Sequence, residues 1–304
     1  DLNQNSRQIK LNRLTLDDAK INLLSDSTGT LNLVPFIELL RNPDKPKDER
    51  WKPGFGTIVL NDSKLRISKK KQESQKKGID FDDMIMEKLN VKVKRLNIVG
   101  DTVSMDIHKL SFSEQSGFEV NDLTSYFTLS KRHMQFTNTH IETPFTYLSI
   151  SSLRMEFNDF KDFQNFTNTV NTEIVLRSSE INFQDIGYFS GSLMNYDEQI
   201  RFSGRLKGTI DNLSGDKIIL AYNDHTTLYG NFNLIGLPEI KQTFIHYNII
   251  QFQTNIEDIR MISLPGNKKI RVPNNLRQLG LITYSGKFTG YYDDFVAYGT
   301  FGTD

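Results

Sequence analysis

From Leu281 to Asp304 apolar and polar residues take turns, with one break at a turn. Ile282, Tyr284, Gly286, Phe288 and Gly290 fall on one parity, and Thr283, Ser285, Lys287 and Thr289 on the other. A period of two gives an extended strand one apolar and one wet face. After a turn at Asp293-Asp294, Phe295, Ala297, Gly299 and Phe301 resume the alternation. The same rule orders Ile200, Phe202, Gly204, Leu206, Gly208 and Ile210 against Arg201, Ser203, Arg205, Lys207 and Thr209. Leu228, Gly230, Phe232 and Leu234 repeat it. Glycines recurring on the apolar side mark bends or close backbone approach. The pattern predicts an all-β chain with a few short helices, built as a strongly curved antiparallel sheet.

The earlier chain fits this scheme less regularly. Alternation from Ile9 to Leu23 predicts a strand pair, Ser25–Gly29 a turn, and Val34–Leu40 a short amphipathic helix with Pro35 in its first turn. Asn42–Pro46 ends that helix. Leu16-Asp-Asp-Ala-Lys-Ile21 is echoed by Leu60-Asn-Asp-Ser-Lys-Leu65 and, more faintly, by Leu176-Arg-Ser-Ser-Glu-Ile181. Three such echoes in strand contexts favour an array of similar β units over a mixed α/β enzyme. Phe81–Leu89 reads as one or two helical turns. From Val91 to Phe157 strand-like segments follow one another as in an antiparallel meander. Phe160, Phe163 and Phe166 share a stripe, Ile174–Phe183 reads as a strand, and Asp185–Leu193 as a short helix broken by glycine.

Little in the chain points to chemistry. The 37 basic and 37 acidic residues cancel, so no net field recruits nucleic acid. With no cysteine, disulfides, thiolate metal sites and cysteine nucleophiles are absent. His108, His133, His140, His225 and His246 lack metal-ligand spacing. Asp17-Asp18 and Asp293-Asp294 read as turn residues, because neighbours on a strand point to opposite faces, and Asp82-Asp83 as the first turn of a helix, with a Ca²⁺ site as the alternative. Lys64–Gly78 holds seven Lys or Arg against one Glu. It reads as a solvated loop guarding a strand edge, with phosphate or anionic-lipid binding as the alternative. No phosphate loop, dinucleotide fingerprint or nucleophile elbow occurs. No catalytic residue, metal or cofactor is expected. An enzyme would have to be built around a cluster such as His225 with Asp224 and a hydroxyl.

GKFTGYYDDFVAYGT (Gly286–Thr300) resembles a signature of the TamB family in its Bacteroidota form, within the AsmA-like superfamily. GNFNLIGLPEIKQTFI (Gly230–Ile245), RVPNNLRQLGLITYSG (Arg271–Gly286) and LDDAKINLLSDSTGTLNLVPFIELL (Leu16–Leu40) are similar to the same proteins. The resemblance covers most of the chain through pattern rather than fixed chemistry. It implies AsmA-like repeats over 1–160 and a TamB-like curved sheet over 173–304, with a sub-boundary near 160–172. It also implies a longer, inner-membrane-anchored periplasmic protein, the anchor upstream of residue 1. The implied fold is a gutter- or taco-like sheet that carries phospholipid acyl chains between inner and outer membranes and supports outer-membrane biogenesis. A BamA/TamA-like barrel is the implied partner. The expected lining residues are Phe202, Leu206, Leu228, Phe232, Leu234, Ile282 and Phe288. The second reading is a structural or protein-interaction β scaffold in which these side chains form a dry core.

Overall fold

The computed structural model describes residues 2–3, 8–25, 32, 52–69, 78–99, 101–189, 193, 196–264, 268–273, 276 and 278–303. The expected turn at Ser25–Gly29 beyond its first residue, the helix at Val34–Leu40 and the lysines from Lys70 to Lys77 lie outside these residues. The chain divides into two units, residues 1–131 with 140–144 and residues 132–139 with 145–304. Among the described residues the fold is all-β with a curved sheet and three short helices, as the alternation predicted.

The first unit contains β1 (Leu2–Asn3), β2 (Gln8–Asp17), β3 (Lys20–Ser25), β4 (Lys52–Lys69), β5 (Asp83–Val99), β6 (Thr102–Glu114), β7 (Glu119–Val120) and β8 (Asp122–Leu129). β9 (His133–Glu142) divides between the units. The expected strand pair within residues 9–24 is instead one broken strand. β2 and β3 do not pair with each other; both lie parallel to β4, one after the other along its length. The break is at Asp18, whose φ is 51°, next to Asp62 with φ 43°. Backbone bonds cross it, from the Asp18 N–H to the Asn61 carbonyl at 3.0 Å and from Lys64 N–H to the Ala19 carbonyl at 2.8 Å. The two strongest echoes therefore sit side by side in register, Leu16 beside Leu60 and Ile21 beside Leu65.

The predicted helix at Phe81–Leu89 is also corrected. From Asp83 onward this segment is strand β5, paired with β4 on one side and β6 on the other. Its apolar spacing fits either element, and ladders on both edges decide for the strand. Arg66 and Asp83 form a two-pronged ion pair at 2.8 and 2.9 Å, and Lys64 meets Glu87 at 2.6 Å. The described start of the basic run is thus neutralised across β4 and β5.

The second unit runs β10 (Tyr147–Glu156), a 3-10 turn at Phe160–Asn165, α1 (Phe166–Thr169), β11 (Asn171–Asn182), α2 (Phe183–Gly187), β12 (Gln199–Gly208), β13 (Asn212–Tyr222), β14 (Thr226–Ile235) and β15 (Phe244–Thr254). Then follow α3 (Ile256–Met261), the small β16 (Ser263–Leu264) and β17 (Lys268–Lys269) pair, β18 (Ile282–Gly290) and β19 (Phe295–Thr303). β10, β11, β12, β13, β14, β15, β18 and β19 pair antiparallel in that order. Phe160, Phe163 and Phe166 stack in sequence because a 3-10 turn aligns residues three apart. Phe160 and Phe163 also pack with Phe157, 5% exposed.

Candidate functional site

One face of β12 to β19 gathers the apolar residues that the alternation singled out. Direct cross-strand partners share a face. Phe202 pairs with Leu220, Leu220 with Leu228, Leu228 with Phe252, Phe252 with Tyr284, and Tyr284 with Phe301. A second row runs from Leu206 through Gly215, Phe232, Tyr247 and Phe288 to Ala297. Leu213, Leu234, Ile245, Gly290 and Phe295 form a third. Ile282 lies opposite Thr254 on the same face. All seven expected lining residues therefore lie on one side of one ladder. The other side carries Arg201, Arg205, Lys207, Thr227, Gln253, Thr283 and Lys287, and there Arg205 pairs with Glu173 at 2.6 Å.

Between the first two rows the face is creased. Three strands cross that line with an extra residue and four with a glycine. β11, β13 and β15 have bulges between Leu176 and Ser179, Gly215 and Ile218, and Ile249 and Phe252. β12, β14 and β18 cross at Gly204, Gly230 and Gly286, and Gly286 pairs with Gly299 of β19. Aligned bulges bend every second strand at one level, which curves the ladder across its width.

The crease is filled from above. Gly204 has φ +137°, and a Cβ there would lie 2.6 Å from Ile218 Cδ1. Ile218 is 1% exposed. Phe232, Tyr247 and Tyr284 lean over Gly215, Gly230 and Gly299 in the same way. Away from the crease, Phe202, Leu206, Leu228, Phe232, Leu234 and Phe288 are only half-buried. Buried Gly215, Ile218 and Gly230 thus lie between half-buried apolar rows, and we call this creased apolar face the trough. Ile282 is the exception among the seven, at 7% exposed.

The bulges explain which lining residues the alternation missed. Tyr247 and Phe252 are an odd number of residues apart yet share the face, because the β15 bulge inverts parity between them. Leu213 and Leu220 do the same on β13. The visible signal lies in the neighbouring strands, where the recurring glycines at 204, 230, 286 and 299 mark the level of the bend. Tyr247 brings a polar atom into the trough. Its hydroxyl is buried without a hydrogen-bond partner, and burial pushes the phenol up to about 12.

Among the described residues two other polar groupings stand out. A shallow cavity of about 400 Å³ opens among Arg132, His133, Arg154, Glu156, Phe157 and Asn171, with Arg154 held by Glu156 at 2.9 Å. The His225 N–H donates to Asp258 at 3.1 Å, and the Thr226 hydroxyl bonds Asp258 and Thr254 at 2.8 and 2.7 Å. Asp258 also donates its N–H to the Asn255 cap at 2.8 Å, so this network ties α3 to the sheet. Among the described residues no cluster of ligands suits a metal, and no helix is long and apolar enough to cross a membrane. Comparison of the chain with family models, with curated proteins and with solved structures finds no match.

Proposed function

We propose that the protein carries phospholipid along the trough of β12–β19, as a segment of a TamB-like periplasmic protein acting between inner and outer membranes. The observation that carries this reading is the exposure profile of the apolar face. Rows of Phe, Leu and Tyr cross six strands and stay half-buried or exposed on either side of a crease that is buried at Gly215, Ile218 and Gly230. A dry scaffold core would bury those rows.

Each methylene shielded from water is worth about 0.8 kcal/mol. An acyl chain lying along the rows gains that stabilisation with its headgroup left in water. Movement along a lining without strong polar anchors needs no nucleotide. In this reading support for outer-membrane assembly, through a BamA/TamA-like barrel, belongs to the longer protein.

The test is native mass spectrometry after gentle purification, with identification of bound lipid. The expected result is co-purifying phospholipid that is lost when Phe202, Phe232 and Phe288 are each changed to Asp. Wet-face controls Thr227→Asp and Thr283→Asp should retain it, and far-UV circular dichroism should report an intact sheet in all variants. A protein that is lipid-free and takes none from phospholipid vesicles would establish the scaffold reading.

A further inference from the structure

We infer, on the reading that the trough carries phospholipid, that the Tyr247 hydroxyl receives the ester carbonyl of the bound lipid. Tyr247 stands inside the second row, with Phe232 of β14 on one side and Phe288 of β18 on the other. Its ring lies 5.7 Å from that of Phe232 and leans over Gly230, where a Cβ would meet Tyr247 Cε1 at 3.0 Å. Two other phenols of this face have partners. Tyr284 donates to the Lys287 carbonyl at 3.3 Å, and Tyr222, opposite Ile200, bonds Asn223. The Tyr247 hydroxyl is buried and bonds no group of the protein.

A buried donor without a partner carries a desolvation cost that a ligand's acceptor removes. Water suits this place poorly, because it needs several polar partners and the row offers Leu206, Phe232 and Phe288. The carbonyl at the head of an acyl chain supplies one strong acceptor, and the methylenes behind it supply none. With that carbonyl on Tyr247, the methylenes lie over the Phe and Leu of neighbouring strands and the headgroup reaches water. Phe232, Tyr247 and Phe288 are each half-buried, so an entering chain parts side chains that already face solvent. Burial pushes the phenol up to about 12, which keeps it protonated and able to donate. One neutral hydrogen bond also lets go readily, as carriage requires.

The experiment offers the purified chain vesicles of equimolar diester and diether phosphatidylcholine with the same chains, and reads bound lipid by native mass spectrometry. The two lipids differ in their carbonyls alone. The parent should hold the diester in about three- to tenfold excess, the scale of one neutral hydrogen bond. Tyr247→Phe should hold the two alike, whereas Tyr229→Phe, on the wet face, should keep the parent's preference. Circular dichroism should be unchanged in both. With carbonyl-labelled lipid, the infrared band of the bound ester should lie lower in the parent than in Tyr247→Phe, as a hydrogen bond to the carbonyl requires. Lipid bound without ester preference, or a preference that survives Tyr247→Phe, overturns the inference and leaves lipid carriage standing. Preference for an added free fatty acid over the diester overturns it too. A chain that takes neither lipid overturns both the inference and the lipid reading.

Discussion

Ser63 and Ser179, in β4 and β11, make the same pair of hydrogen bonds. Each hydroxyl donates to the carbonyl two residues back, Asn61 and Arg177, at 3.0 Å in both cases. Each accepts an N–H from a neighbouring strand, Ala19 at 3.1 Å and Ser149 at 3.0 Å. Both serines are 1% exposed, and both are the fourth residue of the echoed hexapeptide. The faint third echo thus marks the same bulge chemistry as the second. A bulge takes backbone groups out of the ladder, and the serine supplies partners.

Replacing either serine by alanine leaves a neighbouring N–H without its acceptor in a buried setting. Ser63→Ala and Ser179→Ala should each cost about 1–3 kcal/mol, read as a lower urea midpoint. A loss below about 0.5 kcal/mol for both would show that the bulges hold without the hydroxyls.

Ile218 and Gly204 should be coupled. Ile218→Ala should cost about 2–5 kcal/mol through the cavity it leaves on the crease floor. Gly204→Ala should also destabilise, because of its φ of +137° and the contact with Ile218. The double variant should lose less than the sum, since the shortened side chain makes room for the new methyl. Strict additivity in a denaturation cycle would remove the knob-and-glycine account of the bend.

Tyr247 should tolerate loss of its hydroxyl. Tyr247→Phe removes a buried polar atom that has no partner and should range from neutral to about 1 kcal/mol stabilising. The raised phenol supports the fold fully below its ordinary value of 10, and that support is lost as pH rises through about 12. Spectroscopic titration of the tyrosines should accordingly lose its highest step in the variant. A variant that keeps this step assigns it to another tyrosine.

The ion pairs of β4 and β5 should appear in acid. The Arg66 guanidinium hydrogen-bonds Asp83 and holds its carboxyl below the usual range, and the Lys64 ammonium does the same for Glu87. Carboxylates with depressed values support the fold above the unfolded range near about 4 and lose that support as pH falls through the folded values. All four side chains are well exposed, so the effect is small and screened by salt. Lys64→Ala with Arg66→Ala should flatten the decline in stability between about pH 5 and 2, where these carboxylates titrate. An unchanged acid limb in low salt would show that the pairs add nothing.

Much of the fold was legible because β12, β14 and β18 carry no extra residue of their own. Their alternation reads straight through, with glycines at the bend, and the seven expected lining residues do share a face. β11, β13 and β15 were harder to read, since one inserted residue inverts the parity on which the argument rests. Pairing direction was hidden as well. The echo of Leu16–Ile21 in Leu60–Leu65 showed likeness, yet nothing local says that like segments lie side by side and parallel. Phe81–Leu89 misled because a short apolar run fits helix and strand equally until neighbours bond both its edges.

The alternation of glycine-crossed and bulge-crossed strands has an evolutionary consequence. A closed barrel fixes its strand number through tilt and shear, so an added hairpin must be accommodated around the whole ring. A crease repeated from one strand to the next imposes no such condition. Gaining or losing one glycine strand with its bulged neighbour changes the ladder by about 9–10 Å, twice the strand spacing, and leaves every other contact in place. Length in such a molecule is a heritable dial, adjusted by duplicating a hairpin of some twenty to thirty residues, roughly two strands and their turns.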